Sequence, residues 1–124
     1  MARLTFLVAA ALLLTTASGY AQSRQVKGSE FVTIMRGNTL SATDTDGVRY
    51  KAFFLPGGVA TYEDENGKRD QGKWRISDND EVCVAWNTIA DGQERCARVY
   101  ENGNEIVWKG EHISGEGKLL GTVH

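Results

Sequence analysis

The sequence predicts an all-β fold, a small antiparallel meander of about eight strands with one short N-terminal helix and one disulfide. The dipeptides Asp46-Gly47, Asn66-Gly67 and Asn102-Gly103 are favoured in the type I′ turns of β-hairpins. Short runs of alternating apolar and polar residues lie between these turns, which is typical of strands with one buried face. Two cysteines, Cys83 and Cys96, lie in two successive runs.

The first 21 residues predict a cleaved secretory signal peptide. Arg3 is followed by the uncharged apolar run Leu4–Leu14 and then by small and polar residues up to Ala21. This order is typical of a signal peptide, and the run is shorter than the roughly 20 apolar residues that cross a bilayer. We therefore expect cleavage after Ala21, no membrane span, and a periplasmic or secreted domain over residues 22–124.

The charge of the chain gives no support to nucleic-acid binding. The full chain has 14 basic and 16 acidic side chains. Of these charged side chains, only Arg3 lies in residues 1–21. The mature chain therefore has 13 basic and 16 acidic side chains, a net charge of −3. Nucleic-acid-binding domains usually carry a basic patch, and anionic membranes attract polybasic segments. The mature length suits a single domain, which we expect to be a monomer.

The two cysteines predict one structural disulfide. Exported proteins fold where disulfides persist, and an even number of cysteines in such a chain most simply forms bridges within it. A redox role would favour a Cys-x-x-Cys motif beside a βαβ pattern, and the sequence has neither. With both cysteines bonded and only two histidines in the chain, ligands for a zinc site are scarce.

The N-terminal part of the mature chain predicts a mobile leader over Gln22–Gly28 and a short helix over Ser29–Gly37. The helix would begin at a capping serine and end at a glycine that suits a left-handed stop. Its apolar residues recur at i, i+3 and i+4, so one face should lie on the core as a plug or lid. These residues are Phe31, Ile34 and Met35.

Eight strands are predicted, over residues 39–45, 48–55, 59–65, 68–77, 81–87, 94–101, 104–110 and 117–123. They form either an up-and-down barrel or a two-sheet sandwich. Closure into a barrel removes exposed strand edges, which favours the barrel. A barrel of eight strands has an interior that side chains fill or that holds one small ligand.

The registers of the strands can be predicted from the cysteines and the turns. Cys83 opposite Cys96, and a two-residue turn at Asn102-Gly103, separately place the same apolar set on the inward face: Val82, Val84, Ala97, Val99, Ile106 and Trp108. A slip by one residue would turn this set to solvent. A two-residue turn at Asn66-Gly67 places Val59 opposite Trp74, both inward. On the strand before it, Val48, Tyr50, Ala52 and Phe54 are expected inward.

No constellation in the sequence predicts catalysis, a metal site or a cofactor. His112 lies beside Glu111 and near Ser114, but a catalytic triad is defined by geometry and not by adjacency, so a surface loop is the simpler interpretation. The segment that starts at Asp44 fails as a calcium loop because its twelfth position is Leu55 and not a glutamate. The acidic run Glu63–Glu65, with Asp70 across the turn, is interpreted as solvated surface.

Candidate binding residues are Trp86, Gln93 and His112. Trp86 lies at the rim of the predicted sheet, before the loop Asn87–Gly92, where an aromatic ring either packs on the core or stacks on a sugar or partner side chain. Gln93 follows that loop, and His112 lies in the glycine-rich stretch Gly110–Gly117. Loops on a rigid scaffold commonly carry function.

The chain also resembles a known protein family. The residues that carry the resemblance are Gly37-Asn38-Thr39-Leu40, Asp46-Gly47, Tyr50, Phe54, Gly58, Gly72-x-Trp74, Cys83, Trp86, Cys96 and Val99-Tyr100. They resemble the pattern of small exported proteobacterial proteins grouped as domain of unknown function 995, over nearly all of the mature chain. The resemblance implies an exported bacterial domain and assigns no catalytic residue.

These observations together predict a non-enzymatic exported domain that binds a cell-envelope polysaccharide or an exported protein. One alternative is an inhibitor of an exported hydrolase, such as a lysozyme or a protease. Another is a carrier of a small ligand in the barrel interior, which requires a pocket of several hundred Å³.

Overall fold

Eight antiparallel strands close into an up-and-down barrel, which confirms the predicted fold class and selects the barrel over the sandwich. The computed structural model describes residues 24–121, so the predicted signal peptide lies outside the described residues. The elements are β1 (Arg24–Val26), α1 (Gly28–Met35), β2 (Leu40–Thr43), β3 (Arg49–Phe54), β4 (Val59–Asp64), β5 (Arg69–Ile76), β6 (Val82–Trp86), a 3₁₀ turn (Ile89–Gly92), β7 (Arg95–Asn102), β8 (Glu105–Lys109) and β9 (Ser114–Leu119). Each strand from β2 to β9 pairs with the next, and β9 pairs with β2 to close the barrel.

The last strand begins three residues earlier than the predicted range 117–123. Gly115 and Gly117 lie within β9 and not in a loop. Glycine occupies these two positions because neighbouring atoms leave no room for a side chain. A Cβ built on Gly115 would lie 2.6 Å from Cζ2 of Trp108, and one on Gly117 would lie 2.7 Å from the carbonyl oxygen of Ser41. Glycine in a strand often marks a site where other atoms approach closely, as it does here.

The prediction of a mobile leader over Gln22–Gly28 is wrong for the residues that the structure describes. Arg24–Val26 forms β1, which pairs with residues 99–101 of β7. Residues 95–97 of β7 pair with β6, so β1 continues along the edge of β7 beyond Val82, the first residue of β6. Val26 is 1% exposed, and a single apolar residue in a polar segment gives too little alternation to predict a strand.

Helix α1 covers one end of the barrel, as predicted. It spans Gly28–Met35, and Gly37 has the left-handed backbone that ends it (φ 66°). The predicted capping by Ser29 is wrong, because Ser29 lies inside the helix and Oδ1 of Asp80 accepts the Gly28 N–H at 3.2 Å. The ring of Phe31 lies edge-on to two rings of the barrel core, with centroids 5.4 Å from Phe54 and 5.6 Å from Trp74.

The predicted pairing of β6 with β7 is confirmed, with Cys83 opposite Cys96 and their sulfurs bonded. The next turn is formed one residue later than predicted, so Val99 faces Trp108 and not Ile106. Because this changes the register by an even number of residues, the predicted inward face is preserved.

The pairing predicted from Asn66-Gly67 is wrong by one residue. Three residues, 65–67, and not two, lie between the last paired positions Asp64 and Lys68, since the Asp64 N–H donates to the Lys68 carbonyl. Val59 therefore faces Lys73 and not Trp74. Ala60 takes the inward position and is fully buried.

Side chains fill the barrel interior. The buried core consists of Val26, Phe31, Met35, Leu40, Ala52, Ala60, Trp74, Val82, Val99 and Ile106. We call the end covered by α1 the helix end. The opposite end, formed by loops 44–48, 65–68, 87–94 and 110–113, is the loop end. In the described part of the chain, α1 and the 3₁₀ turn are both far too short to cross a bilayer.

Candidate functional site

The topology brings the three predicted binding residues to the loop end. Trp86 is the last residue of β6, Gln93 lies in the loop from β6 to β7, and His112 lies in the loop from β8 to β9. The two loops are neighbours, because a Cβ built on Gly110 would lie 2.1 Å from the carbonyl oxygen of Cys96, at the start of β7. Gln93 and His112 are exposed, and Trp86 is half-buried.

Three half-buried aromatic side chains form an aromatic cluster on the inner face at the loop end. The ring of Tyr50 stacks on that of Tyr62, with centroids 5.1 Å apart, and Tyr62 meets Trp86 edge-on at 5.8 Å. Burial, with the nearby charge of Asp44, raises the pKa of Tyr50 to about 12. Burial, and then the hydrogen bond to Asp64, raise the pKa of Tyr62 to about 12. Both phenols therefore stay neutral at physiological pH.

The β6–β7 loop, residues 87–94, is clamped by the carboxylate of Asp70. Oδ2 of Asp70 accepts the Thr88 N–H at 3.1 Å, the Thr88 hydroxyl at 3.0 Å and the Ile89 N–H at 2.9 Å. Burial alone would raise the pKa of Asp70, but these hydrogen bonds and that from the Gln71 N–H lower it to about 2. The carboxylate is therefore ionised at neutral pH, when its acceptor capacity is greatest.

The clamped loop contains three successive residues with left-handed backbone. Ala90 and Asp91 both have φ 56°, and Gly92 has φ 74°. Left-handed geometry costs an L-residue such as alanine about 1–2 kcal/mol. Strain of this kind persists where the surrounding structure over-determines it, and it concentrates at functional sites.

An ion pair and the disulfide hold the other side of the same loop. The guanidinium of Arg75 binds the carboxylate of Glu94 through two bonds, of 2.9 Å and 2.6 Å. Hydrogen bonding to Arg75 lowers the pKa of Glu94. Cys83, opposite Arg75 in the sheet, is bonded to Cys96. The sulfurs lie near the Glu94 carboxylate, but in a disulfide they are not thiolate ligands for a metal.

The loop end is acidic, although the whole chain is close to neutral. Its four loops carry one lysine, Lys68, and six acidic side chains: Asp44, Asp46, Glu65, Asp91, Glu94 and Glu111. Arg49 pairs with Glu65 and Arg75 with Glu94. The side chain of His112 is 74% exposed and lies 3.8 Å from Glu111, as expected of a surface loop residue.

Two depressions lie on the outer surface of the barrel. The smaller, of about 410 Å³, lies over β2, β9 and β8. The larger, of about 880 Å³, lies over β3, β4 and β5, and we call it the Phe53 groove. Its lining residues are Thr39, Lys51, Phe53, Thr61, Tyr62, Glu63, Arg69, Asp70, Gln71, Asn87 and Thr88.

The sequence does not predict the role of Asp70, because its acidic neighbours indicate a solvated surface. Asp70 and Thr88 are 18 residues apart and meet only because β5 pairs with β6, so no local pattern predicts their contact. The left-handed residues Ala90 and Asp91 were also missed, since alanine has no preference for that geometry. Only the glycine that follows them is a recognisable signal.

No protein-family model matches the chain, and no curated protein or solved structure matches it either. The resemblance to domain of unknown function 995 therefore stays a prediction.

Proposed function

We propose that this protein is an exported, non-enzymatic binding domain that engages an exported protein or a cell-envelope polymer through its loop end. The observation that carries the proposal is the strained β6–β7 loop, with Ala90 and Asp91 held in left-handed geometry between the Asp70 clamp and the disulfide. Export rests on the predicted signal peptide. A fixed loop loses little conformational freedom on binding, so more of its contact energy contributes to affinity.

The surroundings of the loop suit a recognition surface. The half-buried Trp86 lies directly beneath it, since a Cβ on Gly92 would lie 3.4 Å from the Trp86 carbonyl oxygen. Tryptophan is enriched among residues that dominate binding energy. The carboxylates of Asp64 and Asp70 hold loops through backbone N–H groups, so their hydrogen bonds favour a structural role over an acid–base role.

The acidic loops favour one particular version of this function, the inhibition of a basic exported hydrolase such as a lysozyme. Opposite net charges speed the encounter of two proteins and align them. Inhibition would appear as loss of lysozyme activity on addition of the protein. Asp91→Lys should weaken it, and raised salt should slow the association.

Site-specific photocrosslinking tests the proposal directly. A photoreactive phenylalanine analogue replaces Gln93 at the loop end in one variant and Asn79 at the helix end in the matched control, since both side chains are exposed. Irradiation of the producing cells should give a discrete higher-mass adduct from position 93 and none from position 79. Equal labelling from both positions, or adducts from position 79 alone, would overturn the proposal.

A further inference from the structure

The Phe53 groove runs over the outer wall of β3, β4 and β5 and reaches Asn87 and Thr88 at the start of the β6–β7 loop, but its row of outward side chains on the barrel wall has no part in the proposed function. Phe53, Thr61 and Gln71 form one row across β3, β4 and β5, because Phe53 is opposite Thr61 and Thr61 is opposite Gln71. Ala52 and Ala60, their neighbours along the strands, face inward and are buried. The row therefore points outward, and the half-buried Phe53 has no place in the core.

The groove can offer a ligand its side chains but not its backbone. The strands beneath it are paired on both edges, so their ladder hydrogen bonds are already made, and a peptide has no free edge to extend. What remains is one aromatic face surrounded by hydroxyl and amide groups: Thr61, Gln71, Asn87 and Thr88. An apolar platform with a few polar groups around it is the usual composition of a ligand site.

The charges that line the groove cancel. Two are basic, Lys51 and Arg69, and two are acidic, Glu63 and Asp70. Arg69 and Glu63 form an ion pair at 3.3 Å, and Asp70 is engaged by the β6–β7 loop. A lining without net charge favours a neutral ligand over an acidic polymer or a basic protein.

One residue of the groove lining contains a polar atom with unused hydrogen-bonding capacity. Thr39 lines the groove and is 0% exposed, and its Oγ1 has no hydrogen-bond partner within residues 24–121. A buried hydroxyl without a partner costs about 1–3 kcal/mol, and such groups in a native structure call for an explanation. A hydroxyl-rich ligand, or a water molecule that it orders, would supply the missing partner.

We infer that the Phe53 groove binds a neutral oligosaccharide. One face of a sugar ring presents C–H bonds, which pack on the negative face of an aromatic ring. Its hydroxyl groups both donate and accept hydrogen bonds, which suits the amide of Gln71 and the hydroxyl of Thr61. The volume of about 880 Å³ lies within the range of ligand pockets, about 300–1,000 Å³.

The test uses three neutral hexasaccharides, from chitin, cellulose and starch, and the acidic polymer polygalacturonate, each titrated into the mature protein. Calorimetry gives the Kd, and amide NMR shifts locate the site. At least one neutral hexasaccharide should shift the amides of Phe53, Thr61 and Gln71. Its Kd should stay within twofold between low and high salt, since a neutral ligand feels little screening.

Three variants separate a sugar platform from a general effect on the fold. Phe53→Ala should weaken binding about tenfold, whereas Phe53→Tyr keeps the ring and should bind within about threefold of the original protein. Tyr100→Ala is the matched control, because Tyr100 lies on the outer face of β7, away from the groove, and is also half-buried. It should leave the Kd unchanged.

The inference fails if no neutral hexasaccharide shifts the β3–β5 amides at millimolar concentration. It also fails if polygalacturonate binds more tightly, or if Tyr100→Ala and Phe53→Ala lose affinity equally. Should Phe53→Ala not fold, Gln71→Ala replaces it. The result can be told apart from the photocrosslinking at position 93, because that experiment detects a partner of the loop and this one detects sugar-dependent shifts of the β3–β5 amides.

Discussion

The two ends of the barrel are stabilised by different means. At the helix end, α1 places Phe31 among the rings of Phe54 and Trp74, and apolar burial supplies the stability. At the loop end, aromatic rings are only half-buried, and a carboxylate, an ion pair and a disulfide hold a strained loop. Within residues 24–121, both ends contain left-handed residues other than glycine, but only the loop end has two in succession, Ala90 and Asp91.

Under the proposed function, this difference separates stability from recognition within one small barrel. The helix end covers the barrel interior and buries Phe31, Met35 and Trp74 almost completely. The loop end accepts strain and leaves aromatic surface accessible, which is expected where a surface is shaped for a partner. Variants at the helix end should therefore affect stability most, and variants at the loop end should affect the loop more than the barrel.

The largest effect is expected from Phe31→Ala at the helix end. Phe31 is 4% exposed and contacts two core rings, and removing such a ring lowers the free energy of unfolding by about 3–5 kcal/mol. Urea denaturation followed by tryptophan fluorescence measures this change. Thr33→Ala, at an exposed position of the same helix, should change it by less than about 0.5 kcal/mol. Similar losses from both variants would show that α1 contributes through its helicity and not through its buried ring.

The second largest effect is expected from removal of the disulfide beneath the β6–β7 loop. Cys83→Ala combined with Cys96→Ala opens a bridge between residues 13 apart, which should lower the free energy of unfolding by about 3 kcal/mol. Both cysteines are replaced together so that neither leaves a free thiol. Equal unfolding midpoints for the double variant and the oxidised parent would contradict a stabilising role.

Asp70→Ala should lower stability by about 1 kcal/mol, since it removes hydrogen bonds at a partly exposed site. The same substitution should also change how the stability of the folded protein depends on pH. The pKa of Asp70 is about 2 in the folded protein against an ordinary value of 3.8, so its contribution is fully present above about pH 4 and is lost as the pH falls toward 2. Melting curves between pH 2 and 5 should show a smaller decline for Asp70→Ala than for the parent. Parallel declines would mean that other carboxylates carry the acid sensitivity.

The smallest effect, and one of opposite sign, is expected from Ala90→Gly. Glycine adopts φ 56° without the steric penalty of a Cβ, so relief of strain should raise stability by up to about 1 kcal/mol. Ala97→Gly, in β7 with ordinary strand geometry, is the matched control and should destabilise. A loss of stability from Ala90→Gly as large as that from the control would argue against strain at Ala90.

The helix end was predictable because its determinants are local. The i, i+3, i+4 pattern of Phe31, Ile34 and Met35 identifies the buried face of α1, and alternation identifies the strands. The strand registers were harder to predict. The turn around Asn66-Gly67 has three residues where two are expected, and this places Ala60 in the core instead of Val59. Turn length depends on backbone geometry that these two residues do not determine alone.

The loop end was predictable only in part. Trp86, Gln93 and His112 lie at one end because an antiparallel meander alternates its turns between two ends, and this follows from strand order alone. The Asp70 clamp and the left-handed residues depend on contacts between positions far apart in the chain. Clusters formed across strands in this way become visible only once the register is known.

The central claim is that the Asp70 clamp fixes the β6–β7 loop in one conformation before any partner binds. Backbone ¹⁵N relaxation of residues 87–94 measures this most directly, with the loop 110–113 as an internal reference. Order parameters should be about 0.85 in the parent, similar to the strands, and below about 0.6 for this loop alone in Asp70→Ala. Values below about 0.6 in the parent itself, or no change on loss of Asp70, would contradict this claim.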